Sequence, residues 1–401
     1  MRPITVTVYV PLCGESCSFC ERLTVPSTLR SVTRYSSALI AEIDSVAPDL
    51  RDYEVQAVRF CGGIPLLLGG TSVSDILFNM RKAMTVADDA EITIETVPGK
   101  LDEYNLRLFA QRGIERLEFN VATLVQSEHN DLRCPGVYGQ LYEHDAMRHY
   151  LGPENWGVNL LYGLAGQTPD SWKRTVRKAL DMEPRHVAIA LSRALPSGTP
   201  SERARIGGYA AFSDDELDTL LAMREAAVEQ LVNAGYHEYV AGSFSLSESR
   251  CRHTELAYRC ADSLGLGAGA TSLYGGYSYR NTSDVEAYMN HSSEPERIVR
   301  DVFEIDWRAR LLSEVGCGLC REGGWALPSL ADGLADGPGS GVSDSSDVDC
   351  EEATKSLGGI MGELAAAGFV ERLAGGSYRL TGKGDVCRSD VFESVGSIFG
   401  R

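Results

Sequence analysis

Three cysteines lie close together near the start of the chain. Cys13, Cys17 and Cys20 have the spacing C-x3-C-x2-C, and they follow an apolar segment at residues 5–10 that predicts a buried strand. This spacing lets three thiolates converge on one small inorganic centre from a single loop. The chain has 11 cysteines, an odd number in a long sequence, which does not fit a disulfide framework. The pattern therefore indicates a metal centre.

Three thiolates suit a four-iron cluster with one open iron. Such an iron can chelate the amino and carboxylate groups of S-adenosyl-L-methionine, and an electron from the reduced cluster can cleave the sulfonium to a 5′-deoxyadenosyl radical. The alternative is a set of packed or zinc-binding cysteines. A tetrahedral zinc site needs a fourth Cys or His, and Cys61 is the only such residue in the following hundred positions. We therefore expect a [4Fe–4S] cluster on Cys13, Cys17 and Cys20.

Alternating strands and helices are predicted to hold this loop. Short buried strands are expected at residues 5–10, 55–60, 91–95, 116–121, 157–162 and 186–191. Amphipathic helices are expected at residues 33–45, 72–84, 101–112, 143–150, 169–181 and 214–234. About six strand–helix repeats predict an α/β fold, a partial (β/α)6 TIM-like barrel, with functional groups at the carboxyl ends of its strands.

The C-terminal part has a different pattern. Residues 300–315 predict a helix, the Gly-, Ser- and Asp-rich residues 331–350 predict a loop, and residues 351–367 predict a second helix. Residues 368–372 and 377–381 read as a hairpin around Gly375 and Gly376. The expected domains are a core barrel at 1–210, a core extension with a Gly-rich loop at 211–282 and a winged-helix-like domain at 283–401.

Charge and hydropathy restrict the partners. The chain has 38 Lys and Arg against 56 Asp and Glu, a net charge of −18, so nucleic acid and anionic membrane surfaces are repelled at long range. No apolar run has the length of a membrane span, and the first ten residues do not fit a signal peptide. The expectation is a cytoplasmic protein that binds neither nucleic acid nor membranes.

Several segments in order resemble the radical S-adenosylmethionine superfamily, in its branch of anaerobic coproporphyrinogen III oxidase-like (HemN/HemW-like) proteins. Residues 60–65, Phe-Cys-Gly-Gly-Ile-Pro, stand where the family has a GGGTP turn, and residues 95–99 stand where it has E-x-x-P-G. Further matching segments are 162–168, 198–200, 265–270 and 380–384. The resemblance covers nearly the whole chain and implies one [4Fe–4S] cluster and S-adenosylmethionine.

The resemblance also implies roles for individual residues. Gly62 and Gly63 lack side chains, so their backbone can approach the methionine end of the cofactor, although a tight turn is the alternative. Glu95 could accept hydrogen bonds from cofactor or substrate, or serve only as a helix-cap partner. Asn159 stands where the family has an Asp suited to ribose hydroxyls, and Tyr9 replaces a family histidine. Tyr9 and Glu95 are therefore candidate catalytic residues.

Departures from the porphyrin branch favour a different substrate. No fourth cysteine follows Cys20, and of the haem-chaperone motif H-N-x-x-Y-W only His253 remains. A second resemblance, to class C radical S-adenosylmethionine methyltransferases and cyclopropanases, implies two S-adenosylmethionine molecules and one-carbon transfer to an sp² carbon of a specialised metabolite. Arg116, Glu118 and Gln167 would line the second pocket, with Glu118 also a catalytic candidate. The alternative is an oxygen-independent coproporphyrinogen III oxidase-like protein or haem chaperone.

The remaining partners follow from the same resemblance. The substrate would be a small aromatic or unsaturated molecule, and an electron donor such as flavodoxin or ferredoxin would reduce the cluster. Near the C-terminus, Cys317 and Cys320 form a C-x2-C pair. They could join Cys350 and Cys387 in an auxiliary cluster or act as a redox pair.

Overall fold

The computed structural model describes residues 1–14, 17–133, 149–150, 155–192, 212–246, 249–327 and 346–397. The expected helix at 143–150, except for its last two residues, lies outside this part. The motif at 198–200 and most of the expected loop at 331–350 lie outside it too.

Within the described residues, twelve strands form one sheet. In spatial order from one edge to the other it runs β12-β11-β10-β9-β1-β2-β3-β4-β5-β6-β8-β7. The strands are β1 Arg2–Val10, β2 Tyr53–Gly62, β3 Val86–Thr96, β4 Arg116–Val121, β5 Trp156–Tyr162, β6 His186–Leu191, β7 His237–Val240, β8 Ser243–Ser245, β9 Asp262–Leu266, β10 Thr271–Tyr274, β11 Tyr277–Asn281 and β12 Val299–Glu304.

The pairing is parallel from β1 through β6, and β9 also lies parallel to β1, whereas β7, β8 and β10–β12 pair antiparallel. All six strands expected from the sequence are present. The prediction of an α/β fold with a partial barrel is confirmed. Among the described residues, the edge strands β12 and β7 do not pair, so the sheet does not close into a full barrel.

The helices lie between and beyond these strands. They are α1 Leu29–Val46, α2 Gly70–Ala83, α3 Glu103–Arg112, α4 Gln126–Asp131, α5 Pro169–Leu180, α6 Asp214–Asn233, α7 Arg252–Tyr258, α8 Val285–His291, α9 Pro295–Ile298, α10 Trp307–Cys320, α11 Ser346–Ala366, α12 Gly382–Val386 and α13 Arg388–Gly396. Capping boxes begin α1, α5 and α6, because Thr28, Thr168 and Ser213 each accept a hydrogen bond from the third helical amide. None of the described helices is long and apolar enough to cross a membrane.

One expected helix is wrong in its first third. Residues 300–315 were expected to be helical, but Val299–Glu304 forms strand β12 against β11, and α10 begins only at Trp307. Valine and phenylalanine favour extended backbone, and Asp306 caps α10 by accepting a hydrogen bond from the Ala309 amide at 2.8 Å.

Two groups of buried side chains stabilise the molecule. The larger one fills the space between the sheet and its helices with residues such as Val6, Phe60 and Ile94, all fully buried. The smaller one contains Leu319 and Val391 and packs α10, α11 and α13 around a hairpin. That hairpin, β13 Val370–Arg372 with β14 Tyr378–Leu380, confirms the expected one. The domain boundaries stay predictions, and strand pairing continues past residue 282 into β12.

Candidate functional site

The cysteine loop leaves β1 at the carboxyl edge of the parallel strands. Cys13, Cys17 and Cys20 are half-buried. The Cys13 amide donates to the Val25 carbonyl at 2.9 Å, and the Val25 amide donates to the Pro11 carbonyl at 2.8 Å, so both ends of the loop are tied together. Among the described residues, no three His, Cys, Asp or Glu side chains are arranged to hold a metal ion. Convergence of the three thiols on a cluster therefore stays a prediction.

The glycine turn after β2 lies directly against the start of this loop. The Gly63 amide donates to the Val10 carbonyl at 2.7 Å, and the Ile64 amide donates to the Leu12 carbonyl at 2.8 Å. A Cβ atom at Gly62 would lie 2.7 Å from the Val10 carbonyl oxygen, and one at Gly63 would lie 2.3 Å from the Leu12 carbonyl oxygen. Any side chain here would therefore displace the backbone that leads to Cys13.

Close contact with the neighbouring backbone therefore explains why both positions are glycine, and the sequence alone did not reveal this contact. Gly62 also has a φ of 111°, a backbone conformation that favours glycine. Their contact with the methionine end of the cofactor stays a proposal.

Glu95 is the centre of a polar network at the end of β3. The carboxylate is 4% exposed. Its oxygens accept from Arg59 Nε at 2.8 Å, from Arg22 Nη1 at 3.4 Å and from Asn120 Nδ2 at 3.0 Å. Burial opposes ionisation, but the Arg59 and Arg22 guanidinium groups outweigh it and lower the pKa of Glu95. Glu95 is therefore an ionised acceptor at neutral pH.

Arg22 joins the three parts of the site. Its Nη1 donates to the Gly62 carbonyl at 2.7 Å as well as to Glu95, and its side chain is 49% exposed. It follows Cys20 by two positions, so the cysteine loop, the glycine turn and the carboxylate are in direct contact through one side chain.

Two more predicted residues lie on the same face of the sheet. Asn159 on β5 donates from Nδ2 to Asn120 Oδ1 at 3.0 Å, which connects it to Glu95 through one amide. Tyr9 is half-buried and donates to the Leu23 carbonyl at 3.3 Å, and burial raises the pKa of its hydroxyl.

Sequence reasoning missed Arg22, Arg59 and Asn120 at this site. Strand alternation was an available signal for two of them. Arg59 and Cys61 flank the fully buried Phe60 on β2, so both lie on the opposite face of the strand from Phe60. Asn120 follows the fully buried Phe119 on β4 and lies on the opposite face from it in the same way.

Arg116 and Glu118 lie on β4, next to the strand that carries Glu95, in a buried charged cluster. Arg116 is the first residue of β4, and its Nε donates to Glu118 Oε1 at 2.8 Å. His186 Nδ1 is 3.3 Å from the same oxygen, while its Nε2 shares a hydrogen bond with the Tyr239 hydroxyl at 2.9 Å. Arg116 and Glu118 are at most 4% exposed. These contacts connect the pair to β6, and a role of Arg116 or Glu118 in cofactor binding or catalysis stays a prediction.

Gln167 makes no hydrogen bond in the described residues to Arg116 or Glu118. It lies in the turn between β5 and α5, where its Nε2 donates to the Leu161 carbonyl at 3.2 Å and its Oε1 accepts from the Leu164 amide at 3.3 Å. The expected second cofactor pocket lined by these three residues therefore stays a prediction.

His253, the one residue kept from the haem-chaperone motif, is half-buried against the sheet. It is on α7, and its Nε2 shares a hydrogen bond with the Thr7 hydroxyl of β1 at 3.0 Å. Burial, with the nearby Arg59 charge, lowers the pKa of His253 to about 3. The imidazole is neutral at physiological pH.

The chain is similar to curated proteins over most of its length, although no family model matches it. Haem chaperone HemW of Lactococcus lactis is 25% identical over 327 residues, which cover 80% of this chain and 83% of that protein. HemW of Synechocystis is 27% identical over 285 residues, 69% of this chain and 67% of that protein. The oxygen-independent coproporphyrinogen III oxidase of Pseudomonas aeruginosa is 25% identical over 322 residues, 75% of this chain and 68% of that protein.

Among solved structures, coproporphyrinogen III oxidase (HemN) from Escherichia coli has the same fold. The TM-score is 0.74 at 18% identity, and the match covers 99% of this chain and 90% of that one. The expectation of a class C methyltransferase or cyclopropanase is wrong, because these relatives are named haem chaperones and coproporphyrinogen oxidases. Departures at a few positions, such as the replaced histidine at Tyr9, had been given more weight than the similarity of the whole chain. The chain is therefore similar, in sequence and in fold, to proteins of the HemN/HemW-like branch of the radical S-adenosylmethionine superfamily.

Proposed function

We propose that this protein holds one [4Fe–4S] cluster on Cys13, Cys17 and Cys20, binds one S-adenosylmethionine beside it, and handles a tetrapyrrole. The observation that carries the cofactor part is the contact made by Arg22. This one side chain connects the cysteine loop to the Gly62 carbonyl and to Glu95. A ligand of the open iron would therefore meet a backbone turn and an ionised carboxylate.

The donor set fits the proposed cluster. Three half-buried thiols on one loop are the ligands that iron–sulfur clusters use, and the loop is anchored at both ends by backbone hydrogen bonds. When bound and reduced, for example by flavodoxin or ferredoxin, the cluster supplies the electron that cleaves S-adenosylmethionine.

The protein's own groups bind and orient the cofactor. Glu95 accepts hydrogen bonds from the cofactor, and Asn159 donates to ribose hydroxyls. Arg59 and Arg22 keep Glu95 charged, so it stays an acceptor across the neutral pH range. The backbone at Gly62 and Gly63 admits the methionine end.

The tetrapyrrole part rests on the relatives. Two of them are named haem chaperone HemW, and a third is named coproporphyrinogen III oxidase. Haem binding is the first candidate, because the neutral imidazole of His253 is in the protonation state that ligates iron. Oxidative decarboxylation of coproporphyrinogen III is the second candidate.

Anaerobic reconstitution tests the cofactor part. We expect about four irons per chain, a brown protein, and a change in the electron paramagnetic resonance spectrum of the reduced cluster when S-adenosylmethionine is added. Replacing the three loop cysteines together by alanine should abolish the cluster, whereas Cys61→Ala should keep it. A full cluster in the triple variant would refute the assignment.

Haem titration and anaerobic turnover separate the two tetrapyrrole functions. We expect a Soret band that saturates at one haem per chain and weakens in His253→Ala, but not in His237→Ala, whose imidazole is exposed. If haem does not bind and coproporphyrinogen III loses carbon dioxide in the presence of S-adenosylmethionine and a reductant, the second function replaces the first. If the protein neither binds haem nor decarboxylates coproporphyrinogen III, the tetrapyrrole proposal is wrong.

A further inference from the structure

Three cysteines outside the cluster loop lie near the junction of α7 and α10. Cys317 and Cys320 are on the last turn of α10, and Cys260 follows α7. Cys317 Sγ donates to the Ala257 carbonyl at 3.8 Å, and the amide of Cys260 donates to the same carbonyl at 3.1 Å. Cys317 and Cys260 therefore meet at the end of α7, although they are far apart in the sequence.

The backbone of Cys260 is unusual for a cysteine. Its φ is +56°, in the left-handed region, and the Ala261 amide donates to the Leu256 carbonyl at 3.0 Å. This is the hydrogen-bond pattern of a helix end where glycine is the favoured residue. A side chain in this conformation is disfavoured, and such strained positions cluster at functional sites.

The exposure of the thiols distinguishes two possible pairs. Cys260 and Cys317 are both half-buried, whereas Cys320 is 3% exposed and burial raises the pKa of its thiol to about 12. A hydrogen bond between the Cys260 and Cys317 thiols lowers the pKa of Cys317 and raises that of Cys260, so Cys317 is the better nucleophile of the two. Because this hydrogen bond joins Cys317 to Cys260, and because Cys320 is buried, the pair that can react is Cys317 with Cys260 and not Cys317 with its neighbour in the C-x2-C sequence.

A cavity gives small molecules access to this position. It has a volume of about 340 Å³ and is lined by Tyr258, Cys317, Cys320, Arg388, Phe392 and Val395, among others. The Arg321 and Arg388 guanidinium groups add positive charge near Cys317, and both contribute to its lowered pKa. An anionic small disulfide matches both the apolar walls and this charge.

We propose that Cys260 and Cys317 form a thiol pair that undergoes exchange with a low-molecular-weight disulfide such as oxidised glutathione. The Cys317 thiolate attacks one sulfur of that disulfide, its S–S bond breaks, and one small thiol leaves. The Cys260 thiol, losing its proton, then attacks the Cys317 sulfur and releases the second small thiol. One small disulfide is thereby reduced to two thiols, and two protein thiols are oxidised to one disulfide that links α7 to α10.

Disulfide mapping of the cluster-loaded full chain tests the proposal. The protein is incubated anaerobically with oxidised glutathione, quenched in acid, alkylated and digested without reduction. We expect a peptide that links Cys260 to Cys317, a mass loss of about 2 Da for the pair relative to its thiol form, and reversal by excess reduced glutathione. A Cys317–Cys320 link would overturn the proposal. The absence of any link in the sample that received no reduced glutathione would overturn it too.

Two variants make the test specific. Cys260→Gly suits the left-handed backbone and should fold, and it should stop the reaction at a glutathione adduct on Cys317. Cys320→Ala should still form the Cys260–Cys317 link. Absence of the adduct in Cys260→Gly would show that Cys317 is not the attacking thiol.

Discussion

A buried carboxylate on α1 offers a sharp test of the electrostatics of this fold. Glu42 is 2% exposed. Its Oε2 accepts from the Gly267 amide at 2.8 Å and from the Tyr288 hydroxyl at 2.5 Å, and its Oε1 accepts from Asn281 Nδ2 at 2.5 Å. Despite these three donors, burial raises the pKa of Glu42 from 4.5 to about 7. Glu42 therefore changes charge near neutral pH.

The raised pKa has a calculable effect on stability. Because the folded protein binds the proton more tightly than the unfolded chain, the contribution of Glu42 is fully present below its unfolded pKa of 4.5. It is lost as the pH rises through about 7. From about pH 5.5 to about pH 8.5, this group should lower the free energy of unfolding by about 2 kcal/mol.

Glu42→Gln removes the titrating group. The amide has no proton equilibrium in this range, so the difference in unfolding free energy between wild type and variant should change by about 2 kcal/mol across the same window. Urea unfolding of the full chain at the two pH values measures it, and all other titrating groups cancel in the difference. Asp44→Asn, at an exposed position on the same helix, is the matched control. A wild-type-to-variant difference that is equal at both pH values would refute the reasoning.

Three further predictions concern the site and its support. Gly63→Ala should reduce the yield of assembled cluster, measured as iron per chain, because its Cβ would lie 2.3 Å from the Leu12 carbonyl oxygen; an unchanged yield would mean that the turn adapts. Glu118→Gln should destabilise the fold by roughly 3 kcal/mol at neutral pH, measured by urea unfolding. Burial raises the pKa of Glu118, but His186 and Arg116 lower it by more and hold it at about 2. That stabilisation is present above pH 4.5 and should fade as the pH falls towards about 2, so a variant as stable as wild type at pH 7 would contradict it. Glu95→Gln should weaken S-adenosylmethionine binding by about tenfold in calorimetry while leaving the iron content unchanged, as expected for the loss of one charged hydrogen bond.

Much of the fold could be predicted from the sequence because its central strands carry apolar residues at least at every second position. The strands at Arg116–Val121 and His186–Leu191 have the bounds that the sequence predicts. Val299–Glu304 could not be assigned in this way. It mixes apolar and charged residues without a regular alternation along an exposed edge, and its conformation depends on pairing with β11.

The candidate site was harder to predict than the fold. The cysteine spacing identified its loop, but the partners of Glu95 required three-dimensional contacts. Arg59 and Asn120 are polar residues within strands, and only the register between strands places them beside Glu95. Arg116 and Gln167 were expected at the site because they are polar residues near strand ends. In the structure their side chains hydrogen-bond to nearby residues, Arg116 to Glu118 and Gln167 to the Leu161 carbonyl.

The position of β1 in the sheet has a consequence for how the chain is made. β2 follows β1 soon in the chain, but the other neighbour of β1 is β9, where Val8 pairs with Leu266. One edge of β1 therefore stays unpaired until most of the chain has been translated. Since the cysteine loop continues directly from this strand, its supporting backbone is complete only after β9 has emerged. We expect iron to be inserted only after β9 has paired with β1.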